Sequence, residues 1–252
     1  VAVVERWRVS SATSHTAEDR ALQNSDAREL DKFGALAGSW WDPQGPSRPL
    51  HEINSCRLDF IRQRTALQTA RVVDVGCGGG ILTEALARHA GTVAGVDASA
   101  EVISVARAHA AESGLAIRYE VLTAEALAVQ EPASFDCVVC MELLEHVPDV
   151  PSLLGALKKL LKPGGDLFLS TLNRSPRAWL ETVVAAEYLL KLLPRGTHDY
   201  RKFVRPRELA ALLRAQGLTV REIRGMRYQP WRGRAVLVPD PSVNYLVHAR
   251  LD

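Results

Sequence analysis

Val72-Val73-Asp74-Val75-Gly76-Cys77-Gly78-Gly79-Gly80, followed by Ile81-Leu82-Thr83-Glu84-Ala85-Leu86-Ala87, is the stretch that decides the fold. The β-branched apolar run predicts a strand, the glycines a tight turn, and the last seven residues a helix. A strand that feeds a helix through bare glycine backbone brings N–H groups and the helix N-terminus against a bound ligand. The spacing is G-x-G-G-G, and Ile81 stands where a dinucleotide fingerprint has its third glycine. Working outward, Thr92-Val93-Ala94-Gly95-Val96 predicts a second strand that ends at Asp97, 21 positions beyond Gly76. An acid at that place accepts hydrogen bonds from both hydroxyls of a ribose. Gly76, Gly78 and Asp97 therefore predict a nucleoside site.

Strand and helix signals alternate on both sides of this unit. A helix is expected from Asp26 to Gly38 and another from Asn54 to Thr65, separated by Trp40-Trp41-Asp42-Pro43 and a Pro/Gly-rich loop to Pro49. Strands are expected at 72–76, 92–97, 117–121, 135–140 and 166–171, with helices at 80–89, 99–113 and 150–161. That rhythm predicts an α/β fold with a doubly wound, mostly parallel sheet. Pro206 opens a helix ending near Gly217, and strands at 218–224 and 243–249 follow with no helix between them. Two strands so joined predict an antiparallel C-terminal edge on a seven-stranded sheet.

With 252 residues, 47% hydrophobic and 24% charged, the chain is expected to form one globular domain over residues 26–252. Residues 1–25 lack apolar periodicity and read as a flexible leader; Glu5, Glu18 and Asp19 weigh against a transit peptide. A net charge of +2 argues against a nucleic-acid partner, which would need a basic face. No apolar run reaches the ~20 residues of a membrane span. Cys137-Val138-Val139-Cys140 sits in a strand, where residues three apart point to opposite faces. With Cys56 and Cys77 these are expected to be free thiols in a reducing compartment.

The fourth strand delivers Met141-Glu142-Leu143-Leu144-Glu145-His146-Val147 to the crevice at the strand ends, where open α/β sheets bind ligands. If Glu142 to His146 form a helical turn, Glu142, Glu145 and His146 share one face. Such a set either holds a divalent cation such as Mg²⁺ or supplies a general base. Either would activate a phenol, whose pKa of ~10 makes it a poor nucleophile at pH 7.

These segments resemble the ubiquinone-biosynthesis O-methyltransferases, a family of class I, Rossmann-like enzymes that use S-adenosylmethionine (SAM). The resemblance spans about residues 30–250. It rests on Trp40-Trp41-Asp42, Pro49-Leu50-His51-Glu52-Ile53-Asn54 with Arg57, Asp74 to Gly80, Cys140-Met141-Glu142 and Leu144 to Asp149. It continues in Ser170-Thr171-Leu172-Asn173-Arg174, Gly196-Thr197-His198 and Val243-Asn244-Tyr245. The resemblance implies methyl transfer from SAM to a catechol-type hydroxyl of demethylubiquinol and polyprenyl hydroxyphenols. It implies that Arg57, Gly76, Asp97 and Met141 contact SAM, and that Glu142, Glu145 and His146 match positions taken as Mg²⁺ ligands in some members. His146 is then expected to touch the reaction as base or as ligand.

Residues 174–204 form a long insert in which Ser175-Pro176 starts a helix. Trp179, Val183, Ala186, Leu190 and Leu193 fall on one side, with Arg177, Glu181, Tyr188 and Lys191 opposite and Arg174 and Arg195 at the ends. An amphipathic helix over 176–193 either lies in a lipid headgroup layer or packs on protein. The polyprenyl tail implied by the resemblance favours peripheral membrane contact, in a cytoplasm at the inner membrane or on a mitochondrial matrix face. Other quinone-biosynthesis enzymes are expected partners. The alternatives are a methyltransferase for another small acceptor, a catalytically silent member of an assembly, and, more distantly, a nicotinamide oxidoreductase.

Overall fold

The computed structural model describes residues 24–181 and 200–252. The leader over 1–23 and the insert positions Val183, Ala186, Tyr188, Leu190, Lys191, Leu193 and Arg195 lie outside the described residues. Eight strands form one sheet: β1 (Arg71–Val75), β2 (Thr92–Asp97), β3 (Arg118–Val121), β4 (Phe135–Met141), β5 (Leu161–Leu172), β6 (Thr219–Gln229), β7 (Arg234–Val238) and β8 (Asn244–Arg250). Their order is β3-β2-β1-β4-β5-β8-β6-β7. The pairs β1–β2, β2–β3, β1–β4 and β4–β5 are parallel. Those joining β5 to β8, β8 to β6 and β6 to β7 are antiparallel.

The doubly wound α/β expectation holds, with one strand more than the seven anticipated. The extra strand is β7, which returns from β6 through Pro230-Trp231-Arg232-Gly233. It takes the sheet edge beyond β6, and the C-terminal β8 lies inside because it pairs with both β5 and β6. Lys162-Pro163-Gly164-Gly165 turns within β5: Leu161 pairs with Phe135, and pairing resumes at Asp166 opposite Cys137.

The helices are α1 (Ala27–Leu36), α2 (Arg48–Arg62), α3 (Ile81–Ala87), α4 (Ala100–Glu112), α5 (Ala124–Gln130), α6 (Val150–Leu160), a short α7 (Pro176–Ala178) and α8 (Pro206–Ala215). Helix α2 starts six residues before the expected Asn54, because Pro49 fits its first turn. Helix α5 was not expected, although Thr123 caps it in the usual way by accepting the N–H of Ala126. Successive strand residues alternate between two cores. Val73, Val138, Cys140 and Leu169 pack with Leu153, Leu157 and Leu213, whereas Val72, Cys137, Val139 and Phe168 pack with Phe60, Ile61 and Leu86. Cys137 and Cys140 thus face opposite cores, and both thiols are free.

Asn24 is buried and joins the folded part. Its amide donates to Glu125 and to the Asp149 carbonyl, and its Oδ1 accepts the Asp149 N–H at 2.8 Å. The strand order reverses between β1 and β4, so the carboxyl ends of these two strands open the crevice.

Candidate active site

Above those strand ends lies a cavity of about 350 Å³. On one side stands the glycine turn. The N–H groups of Gly76 and Cys77 donate to the Val96 carbonyl at 2.8 and 3.1 Å, which ties the turn to β2. Gly78 sits at φ +53°, where an L side chain is strained, and a Cβ there would come within 2.4 Å of Trp40. At Gly79 a Cβ would meet the same ring at 2.4 Å. The close approach that demands glycine here is therefore made by Trp40. Trp41 fastens this cover: its Nε1–H donates to the Gly79 carbonyl at 2.8 Å, and its ring stacks on His109.

Asp97 accepts the N–H of Gly78 at 3.0 Å and of Ser99 at 2.9 Å. Burial raises its carboxyl above the usual range, and these N–H groups oppose the rise. Asp74 is buried beneath the turn and accepts the Thr83 hydroxyl at 2.7 Å. Burial pushes its pKa up to about 7 against the pull of Thr83 and Arg57.

Arg57 reaches the cavity from α2 and is only 5% exposed. Its Nη2 lies 3.3 Å from Glu142 Oε1, yet Nε and Nη2 have no hydrogen-bond partner among the described residues. Buried guanidinium donors left unmade are costly, so their presence on a cavity wall fits a ligand carboxylate. Met141 ends β4, buried, on the same wall. Arg57, Gly76, Gly78, Asp97 and Met141 thus line one cavity.

The segment after β4 departs from expectation. Glu142 to His146 form no helical turn; Glu142 takes φ +55°, and the His146 N–H donates to the Leu143 carbonyl at 2.9 Å. Glu142 and Glu145 stay side by side, and His146 turns away from them. Glu142 Oε1 accepts the Ser170 hydroxyl at 2.7 Å and the Asn244 amide at 3.1 Å. Glu145 is buried and accepts the Thr171 hydroxyl at 2.6 Å. Burial, then the neighbouring Glu142 charge, raises the Glu145 carboxyl well above its ordinary range. His146 points to α1, where its Nδ1 lies 3.0 Å from Glu29 Oε2.

The expected Mg²⁺ set of Glu142, Glu145 and His146 is therefore not assembled. Among the described residues no group of three or more His, Cys, Asp and Glu is placed to hold a metal.

Sequence reasoning missed Glu29. The His146 hydrogen bond is the largest of the effects that lower its pKa to about 2. Lys32 at 3.2 Å and Lys202 at 3.5 Å add to its ionic contacts. Phe33, one turn along α1, sets its ring at 85° to the imidazole, with centroids 5.1 Å apart. Tyr228 and Asn244, from the antiparallel end of the sheet, complete the far wall.

The class follows from fold and site: this is a SAM-dependent methyltransferase. A family model described as a methyltransferase domain matches residues 30–223. Solved structures share the fold. The magnesium protoporphyrin IX methyltransferase of Synechocystis PCC 6803 with bound SAH gives a TM-score of 0.62 at 17% identity, covering 90% of this chain and 95% of that one. A SAM-dependent methyltransferase of Aquifex aeolicus gives 0.60 at 17% identity, with 88% and 98% covered.

Curated relatives narrow the class. The ubiquinone biosynthesis O-methyltransferase of Xylella fastidiosa (strain 9a5c) is 51% identical over 93% of this chain and 95% of its own. That of Ralstonia nicotianae is 53% identical over 90% and 95%. The chain belongs to the ubiquinone biosynthesis O-methyltransferase family.

Proposed function

We propose that the chain methylates a catechol-type hydroxyl of polyprenylated ubiquinone precursors, demethylubiquinol and polyprenyl hydroxyphenols, with His146 taking the proton. The observation that supports this reading is the Glu29–His146 pair on the wall of the cavity that also holds Arg57, Gly76 and Asp97. SAM, when bound, supplies an electrophilic methyl carbon on a sulfonium. Arg57 would hold its carboxylate, Asp97 its ribose hydroxyls, and Met141 would pack beside it.

The remaining chemistry is proton removal. At pH 7 Glu29 is ionised and lies 3.0 Å from His146 Nδ1; with Nδ1–H donated to that carboxylate, Nε2 is the nitrogen left to face a substrate hydroxyl. Phe33 abuts the ring and limits its rotation. No step passes through a cation, because Glu142, Glu145 and His146 do not fit one. Much of the rate would come from positioning the two reactants in the cavity.

We also infer that residues 26–252 are the methyltransferase domain and that its insert at 174–204 contacts a membrane through 176–193. Ser175 accepts the Ala178 N–H at 3.0 Å and starts that helix, and Trp179 and Leu180 are exposed, which supports the reading. Among the described residues no helix is long and apolar enough to cross a membrane. The expected setting is peripheral, at the cytoplasmic face of an inner membrane or its mitochondrial matrix equivalent, alongside other quinone-biosynthesis enzymes.

The test is methyl transfer from labelled SAM to a short-tailed demethylubiquinol, with and without a chelator. Transfer that survives chelation is the expected result. Transfer that chelation abolishes would replace His146 as base by a metal. SAM binding without transfer would move the function to another acceptor.

A further inference from the structure

The loop joining β6 to β7 carries a tryptophan that the methyl-transfer reading does not use. Trp231 is 83% exposed, the most open of the large apolar side chains among the described residues. A lone exposed apolar residue needs no explanation. This one is set among arginines. Arg232 adjoins it, and Arg227 and Arg234 flank it on the two strands. All three are exposed, and none makes an ion pair among the described residues.

The sheet fixes where this tip points. β5 and β6 both run antiparallel to β8, so β6 ends on the same edge as β1, β4 and β5, above which the cavity opens. Met226 is level with Asn244 and hence with Leu172, the last residue of β5. β6 continues for three residues past that level, which is about 10 Å at ~3.3 Å per residue.

One face of the hairpin, Met226, Tyr228, Ala235 and Leu237, packs toward α2. Tyr228 donates to Glu52, which also pairs with Arg48 at 2.7 Å, and Tyr228 lines the cavity. Arg227 and Arg234 fall on the opposite face, because cross-strand partners share a side and Arg227 and Gln229 are two apart. The tip is therefore held firmly at the rim of the cavity. Trp179 and Leu180, which follow β5, are exposed beyond the same edge.

An indole amid unpaired guanidinium groups is the chemistry of a lipid interface. The ring seats at the headgroup level and the cations meet anionic lipid. The geometry points to the hairpin tip, Trp231 with Arg227, Arg232 and Arg234, as a docking site for an anionic bilayer. Docking there holds the cavity rim against the lipid, where an acceptor with a polyprenyl tail resides. The inference rests on the peripheral-membrane reading above and adds a contact outside the insert.

The test is co-sedimentation of the full chain with phosphatidylcholine vesicles, with and without phosphatidylglycerol. Transfer to the short-tailed acceptor is assayed on the same preparations. Binding to the anionic vesicles should weaken about thirty-fold in the double variant Arg232→Ala/Arg234→Ala, each lost cation contributing roughly five-fold. Trp231→Phe should reduce quenching of tryptophan emission by brominated lipid to the part that Trp179 contributes, with transfer to the short-tailed acceptor unchanged in both variants. If the variants bind as the parent does, the hairpin proposal is overturned while the insert reading stands. A parent that binds neither vesicle overturns both membrane statements, and its transfer activity then separates them from the chemistry. Arginine-dependent binding of a nucleic-acid duplex in place of vesicles overturns the lipid assignment.

Discussion

The two walls of the cavity are built in opposite ways. The wall proposed for the nucleoside comes from β1, β2 and the turn between β1 and α3, and its contacts start from backbone N–H groups: Gly76 and Cys77 to the Val96 carbonyl, Gly78 to the Asp97 carboxylate. The wall proposed for the acceptor gathers Glu29, Phe33, His146, Tyr228 and Asn244 from well-separated stretches of chain. Its central contact spans 117 residues, and it is made by side chains. Backbone geometry fixes a ligand rigidly and tolerates no added atom. Side-chain pairs can be altered singly, so binding and chemistry should come apart between the two walls.

The largest effect should fall on the acceptor wall. His146→Ala should lower kcat by about 10²–10⁴, the usual contribution of a general base, with the SAM Kd within two-fold of the parent. Glu29→Leu should cost about ten-fold in kcat through loss of ring orientation, and Glu29→Gln less, since its carbonyl still accepts Nδ1–H. Single-turnover rates and calorimetric titration with SAM check both. Equal losses of SAM affinity and turnover would show that the walls are one unit.

Gly78→Ala makes the reverse probe. The φ of +53° costs an alanine ~1–2 kcal/mol, and its Cβ would also displace Trp40. SAM should bind at least ten-fold more weakly and thermal stability should fall, while kcat at saturating SAM stays within about three-fold. An unchanged Kd would mean that the Trp40 cover is not coupled to the nucleoside site.

The same contrast explains what could be read in the sequence. Strand, glycine turn, helix, strand and Asp97 were legible because the nucleoside wall is local and each step has its own periodicity or backbone demand. Glu29 was not: an acid near the start of an amphipathic helix looks like a solvated charge, and only the fold brings it to His146. Arg57 showed no local sign of burial, since only the packing of α2 on the sheet encloses it. The helical turn expected at Glu142 to His146 failed for a related reason. Ser170 and Asn244, from β5 and β8, draw Glu142 aside. Two elements had local signals that passed unread, the Thr123 cap of α5 and the Pro230–Gly233 turn before β7.

The smallest expected effect bears on the border between the walls. Glu145 is buried, with one oxygen on Thr171 and the other without a hydrogen-bond partner among the described residues. Its folded pKa is raised by burial and by Glu142, whereas the unfolded chain titrates near the ordinary 4.5. The folded state therefore binds more protons above that pH, and stability falls as pH rises from about 4.5 toward the raised value. Glu145→Gln mimics the protonated carboxyl: its oxygen can accept from Thr171 and its amide can face Glu142. The variant should match the parent in thermal midpoint near pH 4.5. By pH 8 it should exceed the parent by about 2–4 °C, the shift that ~1 kcal/mol gives in a domain of this size. A difference that does not vary with pH would mean that Glu145 is ionised beside Glu142, and an ionised pair there would again suit a cation.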